Sequence, residues 1–334
     1  MKAVAYRQAL PITDPHALLD VTLPDPVPGN RDLLVEVRAI SVNPVDIKVR
    51  GSANPPDGEH KVIGWDAAGV VKAVGDGVSL FKPGDRVFYA GSITRPGANS
   101  ELHLVDERIV GRMPASLDFA QAAALPLTAI TAWELLFDRL AVTVDSKDAL
   151  LVIGAAGGVG SILVQLARKL TGLTVIGTAS RPETRQWVQE LGAHHVIDHT
   201  KPLAAELEGI GFKEVKYVAS LNQTDRHYAE IVKLIAPQGH LAVIDDPAVL
   251  DAMPLKRKSA AIHWEFMFAR SMFETPDMQK QHALLNEVAR LVDAGTLRTT
   301  LAEHYGTINA DNLKRAHALI ESNTAKGKIV LEGF

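Results

Sequence analysis

The stretch Leu150-Leu151-Val152-Ile153-Gly154-Ala155-Ala156-Gly157-Gly158-Val159-Gly160 decides the fold. A short apolar run typical of a buried strand leads directly into a glycine-rich turn, and a helical pattern follows over Val159–Leu170. Glycines let the backbone approach a pyrophosphate closely, and the N-terminus of the next helix offers free N–H groups. Ala155 stands where the G-x-G-x-x-G fingerprint has its first glycine, so a tight turn without a ligand is the alternative interpretation. We predict a dinucleotide site formed by Ala156, Gly157, Gly158, Val159 and Gly160.

Strand and helix patterns alternate from this turn as far as Ile244. That order is typical of a doubly wound α/β fold, the Rossmann arrangement of a parallel sheet with helices on both faces. The earlier part of the chain has short strands between turns such as Pro83-Gly84-Asp85, which favours a β-rich barrel. The terminal strand pattern Lys328–Leu331 needs a sheet to join. We therefore predict a barrel domain over 1–124, a Rossmann domain over 125–265 and a return to the first domain over 266–334.

The composition excludes several kinds of chemistry. The chain has 334 residues, 35 Lys+Arg against 39 Asp+Glu, a formal net charge of −4 and no cysteine. Disulfides, thiolate nucleophiles, iron–sulfur clusters and Cys-based zinc sites are therefore absent. Near-neutral charge argues against nucleic acid or an anionic membrane as the main partner, and no continuous apolar run reaches the ~18–20 residues that cross a bilayer. Met1–Arg7 has a strand pattern rather than that of a signal peptide, so we expect a cytoplasmic protein.

The end of the second Rossmann strand indicates which dinucleotide binds. NAD sites place an acidic residue there for the ribose 2′-hydroxyl, whereas this strand ends at Ser180-Arg181 and Glu183 comes only after a proline. A hydroxyl and a guanidinium suit a 2′-phosphate, and Arg185 lies one helical turn beyond Arg181. The alternative is a helix cap with solvated arginines. We predict NADPH as the cofactor, with contacts from Ser180, Arg181 and Arg185.

Five segments carry a family resemblance: Ser41–Asp46, Gly64–Val71, Pro83–Val87, Ala156–Gly160 and Gly327–Leu331. In order and spacing they resemble the medium-chain dehydrogenase/reductase superfamily over essentially the whole chain. Within it the chain is most similar to the zinc-free quinone oxidoreductase branch, including the bacterial "zinc-binding alcohol dehydrogenase family" proteins that lack zinc ligands. The resemblance implies a GroES-like catalytic barrel, a Rossmann domain and a homodimer formed by edge-to-edge pairing of Rossmann sheets.

The resemblance also allows the metal site to be tested. Zinc-dependent relatives have a cysteine where Asn43 aligns, a histidine where Trp65 aligns and another cysteine close to Leu127. None of these three residues is a zinc ligand, so we expect no metal. Without zinc, oxidation of a simple alcohol loses its means of stabilising the alkoxide, which favours hydride transfer to a conjugated acceptor.

Three residues are candidates for the catalytic role. Asn43, at the vacated ligand position, could donate an amide N–H to substrate or nicotinamide, or else form an Asx turn before Pro44. Lys48 stands where several relatives have a tyrosine lining the cleft; its ammonium could polarise a carbonyl, or it is an exposed helix lysine. Trp65 is expected to fill the former metal site or stack in the pocket. We interpret Asp46 as a structural partner rather than an acid.

Further residues are predicted to contact the cofactor. Ligands bind at the carboxyl ends of the strands in an α/β sheet, where Ser220, Ile244 and Asp245 lie. The resemblance implies a nicotinamide contact for Thr131 and adenosine stacking for His199. For some of them a plainer role is open, such as core or dimer interface for Met267 and a solvated lysine for Lys328. The set is Thr131, His199, Ser220, Ile244, Asp245, Met267 and Lys328.

Together these features predict a zinc-independent, NADPH-dependent oxidoreductase that transfers hydride to a quinone or an α,β-unsaturated ketone or aldehyde. Two alternatives remain. An enoyl-thioester reductase would use the basic cluster Lys256-Arg257-Lys258 at its cleft mouth. An NADPH-binding redox sensor or structural protein would need no catalytic acid, and the sequence contains no unmistakable one.

Overall fold

The computed structural model describes residues 1–52 and 54–334. The chain forms two compact units: unit 1 combines Met1–Ile130 with Phe268–Phe334, and unit 2 is Thr131–Met267. The sequence predicts boundaries after residues 124 and 265, and the structure places them six and two residues further along. Unit 1 is therefore built from both ends of the described chain.

The strands are short except for one. The described residues form β1 (Lys2–Tyr6), β2 (Leu19–Thr22), β3 (Asp32–Val42), β4 (Lys61–Val62), β5 (Ala67–Val74), β6 (Arg86–Tyr89), β7 (Leu102–Asp106), β8 (Val110–Arg112), β9 (Ala149–Ile153), β10 (Thr174–Thr178), β11 (His195–Ile197), β12 (Val215–Ser220), β13 (Ile235–Val243), β14 (Ala261–Trp264), β15 (Leu301–His304) and β16 (Lys328–Glu332). The longest strand, β3, is the central strand of unit 1.

The helices follow local signals in the sequence. They are α1 (Pro44–Ser52), α2 (Phe119–Ala123), α3 (Pro126–Trp133), α4 (Gly158–Leu170), α5 (Pro182–Glu190), α6 (Leu203–Gly209), α7 (Thr224–Leu234), α8 (Met253–Lys256), α9 (Ala269–Met272), α10 (Lys280–Asp293) and α11 (Ala310–Glu321). A 3-10 turn spans Glu107–Ile109, and a π-helical turn over Glu134–Arg139 continues α3. Asp118 begins α2 with a capping box, and the Asn309 side chain caps α11.

Unit 1 is a β-rich barrel-type domain, as the sequence predicts. A small sheet has the order β2-β1-β4, and a larger one has the order β15-β16-β3-β5-β6-β8, with β7 also paired to β3. The C-terminal strand β16 runs antiparallel to β3, with Val330 opposite Ser41 and Ile329 opposite Val42. This register brings the start of β16 beside the end of β3, where the site described below lies.

Unit 2 is the Rossmann domain. Its six strands are parallel, in the order β11-β10-β9-β12-β13-β14. The central strand β9 is buried at every residue, which explains its unbroken apolar sequence. Leu151, Ile153, Val218, Ile231 and Leu241 belong to the core that covers one face of the sheet. The strand order reverses between β9 and β12, the point at which ligands bind in such sheets.

One helical stretch, Phe119–Arg139, has the length and composition of a membrane span. However, 83% of its apolar window is buried inside the protein. Such burial is typical of a core helix, and no other described helix passes the same test.

Candidate functional site

The turn between β9 and α4 is shaped for close approach of a ligand. Gly154 has a φ of +82°, a left-handed conformation that favours glycine. Gly157 is the N-cap of α4 and has no side chain to cap it, so the first N–H groups of the helix are left to water or a ligand. A Cβ on Gly160 would lie 2.4 Å from the Gly154 carbonyl oxygen, whereas one on Gly157 would meet nothing within 3.4 Å. Gly160 therefore lets the helix pack against the turn, and Gly157 leaves the mouth of the turn open.

Two polar side chains meet at the ends of β10 and β11. Ser180 Oγ lies 3.5 Å from His199 Nε2. His199 Nδ1 is buried and has no hydrogen-bond partner among the described residues. Burial lowers the pKa of His199, and the nearby Arg226 and Arg181 lower it further against the opposing effect of Asp198. His199 thus lies at the same edge as Ser180 and close to two arginines, and its adenosine-stacking contact stays a prediction.

The two arginines predicted at this edge have different neighbours. Arg181 is 43% exposed and its Nε lies 3.3 Å from the Glu183 carboxylate. Arg185 instead donates to two backbone carbonyls, those of Ala179 at 3.1 Å and Val196 at 2.8 Å. The Arg185 guanidinium thus supports the backbone after β10 and at β11, and a phosphate contact from its remaining N–H groups stays a prediction.

Strand ends further along the sheet are also tied into the fold. Ser220 Oγ lies 2.7 Å from Thr224 Oγ1, and Asp245 accepts from the Thr224 N–H at 2.8 Å. The Asp245 carboxylate thus satisfies the first turn of α7, where anions are favoured. Ser220 and Asp245 therefore act first in positioning α7 at the carboxyl edge of the sheet, and direct cofactor contact stays a prediction for them and for Ile244.

Thr131 and Met267 are the first and last residues of unit 2. Both are buried, at 5% and 4% exposure. The nicotinamide contact of Thr131 and the cofactor contact of Met267 stay predictions.

A buried polar cluster lies at the end of β3 in unit 1. The Lys328 ammonium donates to the Val42 carbonyl at 2.9 Å, to Asn43 Oδ1 and to Asp66 Oδ2 at 3.1 Å. These three acceptors match the three N–H groups of a lysine, so no donor is left for a cofactor. The predicted cofactor contact of Lys328 is therefore corrected to an internal role.

Asn43 is committed to the same cluster. Its Nδ2 donates to Asp66 Oδ2 at 2.9 Å and to the Ser41 carbonyl at 3.4 Å, and its Oδ1 accepts from Lys328. The residue is only 1% exposed. Its amide therefore does not point a free N–H at a substrate, which corrects the catalytic role predicted for it. The alternative was an Asx turn formed by the Asn43 side chain. The contact found there is instead one in which the Asp46 carboxylate accepts from the Asn43 backbone N–H at 2.6 Å.

Burial dominates the ionisation of this cluster. It raises the pKa of Asp46 to about 7, an effect that Asp66 strengthens and that the Asn43 N–H and Lys328 oppose. Burial likewise raises the pKa of Asp66 and lowers that of Lys328. The Lys328 charge opposes the rise for Asp66, and the Asp66 charge opposes the fall for Lys328. Two acids and one lysine would leave a net negative charge in a dry interior, so a proton on Asp46 makes the cluster neutral.

The other two catalytic candidates lie nearby in the sequence but differ in environment. Trp65 is 1% exposed, donates from Nε1 to the Ser92 carbonyl at 3.1 Å and packs edge-on to the Phe268 ring at 6.2 Å. It is packed as a core residue, and its predicted place in the pocket stays a prediction. Lys48 is exposed on α1. Its carbonyl-polarising role stays a prediction.

The residues at the vacated ligand positions do not fit a zinc ion. Asn43 accepts from Lys328, Trp65 is bonded to Ser92, and Leu127 contributes its backbone N–H to Asp66 Oδ1 at 2.9 Å. Among the described residues no group of three His, Cys, Asp or Glu side chains is arranged to hold a metal. The donor set that zinc requires is therefore missing from this part of unit 1.

Known proteins match the chain along most of its length. The family model "Alcohol dehydrogenase GroES-like domain" matches residues 29–115, and the model "Zinc-binding dehydrogenase" matches residues 191–331. A zinc-type alcohol dehydrogenase-like protein of Staphylococcus epidermidis is 38% identical over 99% of both chains. A quinone oxidoreductase of Pseudomonas aeruginosa is 31% identical over 91% of this chain and 92% of that one. The chain belongs to the medium-chain dehydrogenase/reductase superfamily. Within this superfamily it lies in the quinone oxidoreductase-like branch.

Solved structures of the superfamily have the same fold. A protein of Rhizobium etli CFN 42 described as a zinc-dependent alcohol dehydrogenase is 62% identical, with a TM-score of 0.97 over 100% of this chain and 98% of that one. Quinone oxidoreductase of Escherichia coli, solved in complex with NADPH, is 26% identical with a TM-score of 0.85 over 99% and 100% of the two chains. The predicted family and fold class are thus confirmed, and the chain is an oxidoreductase of this superfamily.

Sequence reasoning missed two residues that the structure singles out. Asp66 is the centre of the unit 1 cluster, and Arg226 on α7 is one of the two cations that act on His199. A signal for Asp66 was present, since a carboxylate beside the apolar run Ala67-Ala68 must find partners when buried. No local signal pointed to Arg226, because its relation to His199 depends on the sheet order.

Proposed function

We propose that the chain is a zinc-independent reductase that uses NADPH to reduce a quinone or an α,β-unsaturated ketone or aldehyde. The observation that carries the cofactor choice is the end of β10, where Ser180 and Arg181 stand beside His199 and no acidic residue occupies the ribose position. The NADPH complex of the Escherichia coli relative supports the same choice. The conjugated acceptor is supported by the missing zinc donor set and by the quinone oxidoreductase relatives.

In this proposal, different residues bind the pyrophosphate, bind the 2′-phosphate and stabilise charge on the acceptor. The open turn at Gly157 and the N-terminus of α4 receive the pyrophosphate, and Ser180 with Arg181 holds the 2′-phosphate. NADPH, when bound, supplies the hydride. Negative charge then develops on the acceptor oxygen and requires a donor. Because the Asn43 amide is committed to Asp66 and Ser41, the exposed ammonium of Lys48 is the remaining candidate of the three.

The basic cluster near α8 bears only on the enoyl-thioester alternative, and it supports that alternative in part: Lys256 and Arg257 are exposed, whereas Lys258 is bonded within unit 2. The Lys258 ammonium donates to the carbonyls of Lys233 at 2.7 Å and Ile235 at 2.6 Å. It is thus used within unit 2 rather than presented to an acyl-thioester. The second alternative, an NADPH-binding protein without enzymatic turnover, would replace the proposal if no acceptor were reduced.

The proposal extends to assembly and compartment. A homodimer is proposed because β14 lies at the end of the unit 2 sheet, with Trp264 on the strand and Phe266 just after it exposed. A cytoplasmic location is proposed because the chain contains no cysteine and so no disulfide, as is usual in a reducing compartment.

The test is stopped-flow oxidation of NADPH with 9,10-phenanthrenequinone, 1,4-benzoquinone and 2-cyclohexenone. We expect oxidation with at least one acceptor, slowed about tenfold or more in Lys48→Met, since general acid or electrostatic assistance contributes at least that much. Lys82→Met is the matched control, because Lys82 is also exposed and lies in a turn of unit 1. Tight NADPH binding without oxidation by any acceptor would replace the reductase with a sensor.

A further inference from the structure

Arg226 is an exposed arginine that has no carboxylate partner among the described residues. It is the third residue of α7, and the one hydrogen bond that its side chain makes within the described chain joins Nη1 to Gln223 Oε1 at 3.5 Å. Arg181, by comparison, lies 3.3 Å from the Glu183 carboxylate. A guanidinium is a planar fork of N–H donors that matches a phosphate. Arg226 can therefore bind an anion from solution without giving up an ion pair.

The fold directs the Arg226 side chain toward the carboxyl edge of the unit 2 sheet. α7 follows β12, so its N-terminus lies at that edge, as the N-termini of α4 and α5 do after β9 and β10. Side chains of an α-helix lean toward its N-terminus. The contact of Arg226 with Gln223, the N-cap residue of α7, agrees with this direction. The guanidinium thus lies at the edge where the dinucleotide is proposed to bind.

The ring of His199 links Arg226 to the residues proposed for the 2′-phosphate. Its Nε2 lies 3.5 Å from Ser180 Oγ, and Arg181 is the next residue in the chain. The His199 ring also packs edge-on to the ring of His227, with centroids 6.2 Å apart, and Arg226 is the preceding residue. Two arginines thus come from different elements to the neighbourhood of one histidine.

Both guanidinium charges act on His199. Burial lowers the pKa of His199 most, the Asp198 carboxylate opposes it, and Arg226 then lowers the pKa more than Arg181 does. The two arginines carry the same charge, so that of Arg226 is the closer or the less screened at this histidine. Asp198 is itself bonded to Thr200, whose N–H and Oγ1 donate to Oδ1 at 2.9 and 2.7 Å. Arg226 is therefore at least as well placed as Arg181 to attract an anion beside His199.

We propose that Arg226 is a cofactor-specificity residue, which binds the adenosine 2′-phosphate of NADPH together with Arg181. The inference rests on the proposed function, because it takes NADPH as the cofactor. The 2′-phosphate is the anion of choice for two reasons. The pyrophosphate has its own proposed site at the N-terminus of α4, and His199, beside both arginines, is predicted to stack on the adenosine. Two guanidinium groups would balance the two charges of a phosphate.

Titrations of NADPH and NADH test the assignment. Arg226→Ala should weaken NADPH binding about tenfold, which is the contribution of one charge-assisted contact, and leave NADH binding within about twofold of the wild type. Arg226→Lys keeps the charge and should lose less affinity. Arg168→Ala, at another exposed arginine of unit 2 in the last turn of α4, is the matched control and should change neither affinity. Arg226→Ala should melt within about 2 °C of the wild type, because the replaced side chain is exposed.

Two nucleotide fragments locate the contact on the cofactor. The compounds 2′,5′-ADP and 5′-AMP differ only in the 2′-phosphate, so calorimetric titration of both isolates that group. Arg226→Ala should bind 2′,5′-ADP about tenfold more weakly than the wild type and bind 5′-AMP equally well. The double variant Arg181→Ala with Arg226→Ala should no longer prefer NADPH over NADH.

The possible results contradict different claims. A wild type that binds NADPH and NADH equally well would overturn both the proposed cofactor and the role of Arg226. If the wild type prefers NADPH and Arg226→Ala keeps the full preference, the role of Arg226 alone is wrong. If Arg226→Ala weakens both dinucleotides, or 5′-AMP as much as 2′,5′-ADP, the guanidinium contacts another part of the cofactor and the 2′-phosphate assignment is wrong.

Discussion

Arg181 and Arg185 lie one helical turn apart, yet a substitution at each should produce a different signature. The Arg181 guanidinium is 43% exposed and lies 3.3 Å from the exposed Glu183 carboxylate, and an exposed pair of this kind contributes about 0–1 kcal/mol. Arg185 is bonded to two carbonyls and supports the backbone. Sequence spacing alone treats the two residues as equivalent.

Arg181→Ala should weaken NADPH binding about tenfold and leave NADH binding nearly unchanged, because only NADPH carries the 2′-phosphate. Fluorescence titration of both cofactors measures the effect. Arg38→Ala, at an exposed arginine of unit 1, is the control and should change neither affinity. Equal weakening of NADPH and NADH by Arg181→Ala would argue against the 2′-phosphate role.

His317 should make the protein sensitive to acid. Its Nδ1 accepts from Arg50 Nε at 3.3 Å, and burial, with Arg50 adding to it, lowers the pKa of His317 to about 3. In the unfolded chain the pKa returns to about 6.5, so the unfolded state takes up the proton first as the pH falls. Stability therefore declines below about pH 6.5 and continues to decline toward pH 3.

Replacing His317 by glutamine should remove this contribution. Between pH 7 and pH 5 the wild type should lose about 2 kcal/mol more unfolding free energy than His317→Gln. Urea denaturation of the two proteins at both pH values gives this difference, and the other titrating groups cancel because both proteins contain them. Identical pH dependence in the two proteins would mean that His317 is already protonated or accessible in the folded state.

At the scale of elements, the β9–α4 turn depends on Gly160. A methyl group there would lie 2.4 Å from the Gly154 carbonyl oxygen and 2.6 Å from Ala155, so the backbone would have to move. Gly160→Ala should lower the free energy of unfolding by about 1–3 kcal/mol and weaken NADPH binding severalfold, since the same backbone forms the proposed pyrophosphate site. Thermal melts and cofactor titration check both effects.

Gly209→Ala is the matched control for this prediction. Gly209 lies at the end of α6 in the same unit, and a Cβ there would meet nothing within 4 Å. Alanine at that position should be neutral or slightly stabilising. If Gly160→Ala behaved like Gly209→Ala, the close packing of the turn would not be needed for binding.

The elements predicted from sequence are those whose signal is local. The turn at Gly154–Gly160 and the strand β9 were visible because a buried strand and a glycine turn leave a contiguous pattern. The edge strand β14 was missed, because its four residues lie in an irregular stretch whose pairing is set by the sheet. The partners of Asn43 could not be predicted from the sequence either. Lys328 is far away in the chain, and only the β3–β16 register brings the two residues together.

On the scale of the whole molecule, the exposed edge of the unit 2 sheet predicts how two copies associate. β14 pairs with β13 on one side and ends the sheet on the other. Trp264 on this strand is 55% exposed and Phe266 just after it is 48% exposed. Two copies pairing edge to edge about a two-fold axis would cover both the open backbone groups and these rings.

Trp264→Glu should convert the proposed dimer into a monomer, because it places two like charges at a symmetric interface. Size-exclusion chromatography with light scattering measures the mass directly. Phe273→Glu, at an aromatic residue of unit 1 that is 71% exposed, is the control and should leave the dimer intact. A monomeric wild type would mean that this dimer contact does not form. A dimer that only Phe273→Glu disrupts would place the contact on another surface.

The pairing of β16 with β3 has a consequence for how the chain is made. Ser41 leaves the ribosome almost three hundred residues before Val330, its partner across the sheet. At roughly 5–20 residues per second this is a delay of about 15–60 s, during which unit 2 can fold in full. Through that interval β3 has an open edge and Asp66 lacks its counter-charge. The nascent barrel is therefore a natural client for chaperones, and a ribosome that stalled before Lys328 would carry a finished Rossmann domain beside an unfinished barrel.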